Sequence, residues 1–123
     1  MSLSRIAAVL ASAAFLFVGA SAPEAATKRV KVSWYKCCNA KTASGKPFSA
    51  SDPTIVAHKS LPFKTRLLFR NPKNGKTLCA QVDDRGPYVR GREFDLTRAG
   101  ADRLGIRHSG VAVVEVSYTR CIL

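Results

Sequence analysis

Acidic side chains are scarce in this sequence: 8 Asp and Glu stand against 20 Lys and Arg, a formal net charge of +12 over 123 residues. That shortage makes an anionic partner the first expectation. Charge alone does not choose between wall polymers bearing carboxylates, anionic lipid headgroups and nucleic acid. A long apolar run is also missing. The longest, Ile6 to Val18, is thirteen residues, short of the roughly 20 that a spanning helix needs, so no membrane span is expected. There is no CxxC pair and no paired-histidine spacing among the 2 histidines, which argues against a metal site; no metal and no cofactor are expected. Internal repeats and low-complexity tracts are absent as well.

What is present begins with a targeting pattern. Arg5, the apolar run, and the small residues Ala20-Ser21-Ala22 read as a secretory signal peptide over residues 1–26, with cleavage near Ala22 or Ala26. No cysteine directly follows the run, so a lipid anchor is not indicated. The leader carries only Arg5 and Glu24 as charges, so the mature part, residues 27–123, keeps the whole excess of positive charge. Its length suits one compact domain. All four cysteines, Cys37, Cys38, Cys79 and Cys121, fall in the exported part, where disulfides form. Adjacent cysteines seldom bridge each other, so Cys37 and Cys38 are each expected to take a distant partner, leaving two connectivities.

Hydrophobic alternation from Lys28 to Tyr35 predicts a half-buried strand with Val30, Val32 and Trp34 on the inner side. Residues 37–52 lack apolar period and read as a long surface loop. Short β-type runs follow at Thr54 to His58, Thr65 to Arg70 and Lys76 to Val82, and Asn71-Pro72-Lys73-Asn74-Gly75 predicts an antiparallel hairpin between the last two. A brief strand is predicted over Arg92 to Leu96. Thr97 then reads as the N-cap of a short helix that stops at Gly105. A final strand runs from Val111 to Tyr118. The pattern fits a small all-β, closed barrel with one short helix.

Five segments carry a resemblance: Ser33-Trp34-Tyr35, Thr42-Ala43-Ser44-Gly45, Ala57-His58-Lys59-Ser60-Leu61-Pro62-Phe63, Asp84-Arg85-Gly86-Pro87-Tyr88-Val89-Arg90-Gly91-Arg92 and Phe94-Asp95-Leu96. In order and approximate spacing they resemble the rare lipoprotein A (RlpA) family of peptidoglycan-acting proteins. The resemblance implies a six-stranded double-psi β-barrel and a lytic transglycosylase that cuts naked glycan strands endolytically. In that chemistry a carboxylic acid protonates the glycosidic oxygen and the C6 hydroxyl of the same sugar attacks, leaving a 1,6-anhydro end. One carboxyl group can act as acid and then base. If the first and last strands are neighbours in the closed barrel, Cys121 is expected to join Cys37 or Cys38.

The family's site comprises a Glu and an Asp after the TASG segment, the His of the AH segment and the Asp of the DRGP segment. His58 and Asp84 match, but Lys46 and Ser49 stand at the Glu and Asp positions. A lysine, with an unperturbed pKa of about 10.4, does not replace a carboxylic proton donor. The expected catalytic residues are therefore Asp84 as leading acid/base, His58 as its polar partner, and Asp95 or Asp83 as helpers. The bland alternatives are a turn-stabilising Asp84, a structural His58, and an Asp95 paired with Arg92 or Arg98, a basic setting that would lower its pKa. Tyr35, Phe48 and Tyr88 are candidates for stacking on sugars, against core packing. Arg85, Arg90 and Arg92, with Lys46, are candidates for binding the lactyl carboxylates of naked glycan, against a solvated loop. The expectation is a secreted or periplasmic monomer acting on peptidoglycan glycan strands. The alternative is an expansin-like, non-catalytic glycan-binding barrel that has lost its acid. Nucleic acid is not expected as a partner, since no recognition motif is present.

Overall fold

The computed structural model describes residues 26–35 and 41–123. Most of the expected leader, and Cys37 and Cys38, lie outside the described residues. Six strands form the fold: β1 (Thr27–Trp34), β2 (Ile55–His58), β3 (Arg66–Arg70), β4 (Thr77–Asp84), β5 (Phe94–Leu96) and β6 (Val111–Ser117). One helix, α1 (Arg98–Leu104), lies between β5 and β6. The strands close into a barrel in the order β1-β5-β2-β4-β3-β6, the double-psi arrangement. Closure leaves no unpaired sheet edge.

Alternation in the sequence sets the inner face. Val30 and Val32 of β1, Leu67 and Phe69 of β3, Leu78, Ala80 and Val82 of β4, Phe94 and Leu96 of β5, and Val114 and Val116 of β6 are all buried. Phe69 meets Phe94 edge to face with ring centroids 5.1 Å apart, near the middle of that core. The hairpin between β3 and β4 forms where predicted, closed by Asn71 N donating to Lys76 O at 2.9 Å.

Helix α1 is bounded by the two residues its sequence advertises. Thr97 Oγ1 accepts from Gly100 N, and Gly105 takes a left-handed φ of 72° while its N–H returns to Ala101 and Asp102 carbonyls. Its buried residues are Gly100, Ala101 and Leu104, and the last two join the barrel's hydrophobic core.

The expected disulfide pairing is corrected. The first and last strands are indeed neighbours, β1 antiparallel to β6. Yet Cys121 bonds Cys79 of β4, with Cα atoms 5.8 Å apart. The reason is that Cys121 lies beyond the end of β6, in a tail that turns over β3 instead of back toward β1. Arg66 Nη1 holds Cys121 O there at 3.1 Å. Cys79 pairs with Leu68 of β3, and Leu68 with Ser117 of β6, so the tail needs to cross a single strand to reach it.

Candidate active site

β4 ends on two consecutive aspartates, and a break in register decides where each one points. Ile55 of β2 pairs with Gln81 and Val56 with Val82, but Ala57 pairs with Asp84, leaving Asp83 as the extra residue of a bulge. Ala57 also faces Asp95 of β5, and Asp95 faces Ser33 of β1. Asp84, Ala57, Asp95 and Ser33 thus form one row across neighbouring strands, on one face of the sheet. The residue separating the two aspartates carries only a methyl group.

Asp84 is held as an acceptor on both oxygens. Oδ1 takes the N–H groups of Ala43 at 3.0 Å and Arg85 at 2.9 Å, and Oδ2 takes the Tyr35 hydroxyl at 3.2 Å. Asp95 is different. It is partly buried, and its hydrogen bond is the Ser33 hydroxyl, donating to Oδ1 at 3.0 Å. Burial pushes its pKa up to about 6, with the nearby Asp84 charge adding to the rise and Ser33 and Arg92 opposing it. This corrects the expectation of a lowered value: the basic neighbour is present, but removal from water outweighs it.

Asp83 faces the other way and is fully buried. Ser44 Oγ and Gln81 Nε2 each donate to it at 3.0 Å, and Lys64 Nζ and Lys46 Nζ stand 3.7 and 3.9 Å from its oxygens. Lys46 also lies 3.8 Å from Asp52. The TASG loop is pinned to the end of β4 by these contacts and by Ser44 N donating to Asp83 O at 3.0 Å. Lys46 therefore anchors a loop, and a family-like carboxyl at this position would meet two carboxylates.

His58 lies on the opposite side of β2 from Ala57, against the buried Phe94 ring at 4.8 Å. Its Nδ1 accepts from Ser60 N and Leu61 N, both at 3.0 Å, which closes the turn after β2. Nε2 points to Glu93, 4.0 Å away. Burial lowers its pKa, Glu93 opposing and Arg85 reinforcing the shift, so the ring is neutral at pH 7. The structure thus gives Asp84 Tyr35 and two backbone N–H groups as partners, and gives His58 a turn to hold.

Arg85 is likewise committed to the scaffold: Nη1 donates to Leu61 O at 2.8 Å and His58 O at 3.3 Å, and the guanidinium lies 4.0 Å over the Phe63 ring. Tyr35 and Phe48 rings are 5.0 Å apart beside Asp84. Tyr88 is exposed, as is Arg90, and Arg92 is half-buried beside Asp95. Sequence reasoning missed Ser33 and Ala57 as site members, because neither carries a chemical signal until strand pairing sets them beside the aspartates. Among the described residues no group of three or more His, Cys, Asp or Glu side chains is placed to hold a metal.

The chain is a closed six-stranded barrel that brings Asp84, at the end of β4, and Asp95, within β5, into one row. Residues 27–116 match the lytic transglycolase family, and the chain belongs to that family. A relative from Aquifex aeolicus named "Probable endolytic peptidoglycan transglycosylase RlpA" is 46% identical over 91 residues, covering 72% of this chain and 40% of the relative. The chain thus spans less than half the length of that relative. Among solved structures, a Streptomyces papain inhibitor superposes with a TM-score of 0.63 at 21% identity, covering 81% of this chain and 100% of that one. The apo expansin of Clavibacter michiganensis superposes with a TM-score of 0.62 at 21% identity, covering 80% of this chain and 52% of that one. At that identity the two structures speak for the fold alone.

Proposed function

We propose that the protein is an endolytic lytic transglycosylase acting on peptidoglycan glycan strands, with Asp95 as the group that gives a proton and takes it back. The observation that carries this reading is the row Asp84, Ala57, Asp95, Ser33, in which a carboxyl with a pKa of about 6 sits beside a second carboxylate. Two carboxyl groups in unlike surroundings take unlike roles. Asp95 protonates the glycosidic oxygen. Asp84, fixed by Tyr35 and the TASG loop, faces the positive charge that develops on the sugar. As the C6 hydroxyl attacks, Asp95 accepts its proton, so no water is consumed. His58 and Arg85 shape the loop that rims the row. Tyr35, Phe48 and Tyr88 offer faces to sugar rings, and Arg90 and Arg92 offer charge to lactyl carboxylates.

The family's substrate implies a place outside the cytoplasm, which agrees with reading residues 1–26 as a signal peptide and 27–123 as the mature domain, periplasmic or secreted. No helix among the described residues is long and apolar enough to cross a membrane.

Incubating the purified protein with naked and peptide-bearing sacculi and reading anhydro-muropeptides by mass spectrometry tests the proposal. Anhydro ends from wild type, lost in Asp95→Asn, are expected; an Asp95→Asn variant with full turnover sinks the assignment. A second reading, a non-catalytic glycan-binding barrel, is favoured by one observation: Lys46 occupies the family's Glu position and is engaged with Asp52 and Asp83. On that reading wild type binds sacculi and releases nothing, while Lys46→Glu creates turnover.

A further inference from the structure

The barrel end that carries Asp84 also carries a groove of about 680 Å³ that no part of the catalytic row uses. Its walls are Lys64, Thr65 and Arg66, at the start of β3, and the tail from Tyr118 to Ile122. β3 runs antiparallel to both β4 and β6, so its first residue, the end of β4 and the end of β6 share one end of the barrel. The tail forms a wall because two bonds fix it: the Cys79–Cys121 disulfide and the hydrogen bond from Arg66 to Cys121 O.

The groove is lined by cations and carries no acid. The few acids of the domain are used elsewhere: Glu93 by Lys28, Glu115 by Arg29 and Arg70, Asp102 by Arg107, and Asp52 by Lys46. Among the described residues neither Arg66 nor Arg120 has a carboxylate partner, and the groove lining contains no acid. Tyr118, 53% exposed, adds an aromatic face to the same lining. Lys64 ties the groove wall to the end of β4. Its Nζ is 3.7 Å from Asp83, the residue before Asp84, and its backbone holds a left-handed φ of 77°, an uncommon state for a side-chain-bearing residue.

We propose that this groove is a second subsite for the same glycan strand, in which Arg66 and Arg120 bind the lactyl carboxylates of sugars beyond the cleavage point and Tyr118 stacks on a ring. The proposal rests on the glycan-strand reading above. Arg forks match carboxylates bidentately, and an aromatic in the same lining as cations suits a polymer that alternates neutral ring faces with carboxyl groups. A strand held there extends from the groove past Lys64 to the aspartate row, which favours internal cleavage over trimming of ends.

The test measures affinity of the full chain for fluorescent naked glycan strands by anisotropy at low salt. Arg120→Glu is expected to weaken binding about tenfold, or about 1.4 kcal/mol, and Tyr118→Ala to weaken it in the same direction. Lys76→Glu, the same charge change in the hairpin at the other end of β4, is expected to change it less than twofold. Amidating the lactyl carboxyls should erase the difference between wild type and Arg120→Glu. Equal losses in Arg120→Glu and Lys76→Glu, or a difference that survives amidation, overturn the subsite. If wild type cleaves strands and Arg120→Glu binds them unchanged, the subsite fails and the catalytic reading stands. If wild type neither binds nor cleaves, both fail.

Discussion

Asp95 differs from the other carboxyl groups of the site because water has been removed from it more than charge has been supplied to it. With a folded pKa of about 6 against 3.8, the folded state holds the proton more tightly than the unfolded chain. The associated stability is fully present below pH 3.8 and is lost as pH rises through about 6. Asp95→Asn, which keeps an acceptor for Ser33, should therefore match wild type in acid and exceed it at pH 7. After discounting for the solvent-screened part of the group, the gain is about 1–2 kcal/mol. Urea melts at pH 4 and pH 7 check this, and an equal offset at both pH values counts against it. In the glycan assay, cleavage should decline as pH rises past about 6. Asp84→Asn removes a charge that raises the Asp95 value, so that decline should move to lower pH along with a fall in rate. An unmoved profile would mean the two carboxyls do not interact. At Lys46 the same reasoning gives the opposite sign. Glutamate there replaces a cation lying 3.8 and 3.9 Å from Asp52 and Asp83 with a third carboxylate. Lys64 still faces Asp83, so Lys46→Glu should cost about 1–2 kcal/mol in a thermal melt and not the full cost of a buried unpaired charge.

Elements show where the sequence is readable. The strands were legible because buried and exposed positions alternate, and helix α1 because Thr97 and Gly105 punctuate it. What alternation cannot show is a pairing between distant strands. β4 was predicted to stop at Val82 and runs on to Asp84, because its last residues pair with β2 through a bulge that no local pattern announces. The row that joins Asp84 to Asp95 through Ala57 was hidden for the same reason, although both aspartates were named from their motifs. The fate of Lys46 depended on Asp83, a residue whose direction only the bulge decides. The end of α1 offers a measurable case of local reading. Gly105 has φ 72°, and a Cβ there would stand 2.6 Å from Asn74 Nδ2, which donates to Leu104 O at 3.1 Å. Gly105→Ala thus strains the backbone and displaces an amide from the helix end. A loss of about 1–2 kcal/mol in urea unfolding is expected. Leu96 and Leu78 lie against Gly100 instead, so Gly100→Ala, with a Cβ contact of 3.3 Å and no left-handed backbone, should cost less.

At the scale of the whole molecule, a barrel of this size with a large excess of positive charge has to resist its own repulsion while keeping cations free for a ligand. The Cys79–Cys121 bond serves both needs. It closes a segment of 42 residues that contains the end of β4, β5, α1 and β6, so it removes much of the freedom of the unfolded chain. The chain-entropy relation gives about 4 kcal/mol for a loop of that length, an upper figure if the unfolded chain retains structure. Its second effect is local: the bond presses the tail over β3, where Arg66 and Arg120 line the groove beside Lys64. Replacing both cysteines with serine should therefore do two separable things. The unfolding midpoint should fall by the equivalent of about 2–4 kcal/mol. Binding to naked glycan strands should also weaken under conditions where circular dichroism shows the barrel intact, because Arg120 and Tyr118 are no longer held against β3. Cleavage of short fragments, which need only the aspartate row, should persist under those conditions. Stability lost with strand affinity unchanged would show that the tail contributes to the fold alone.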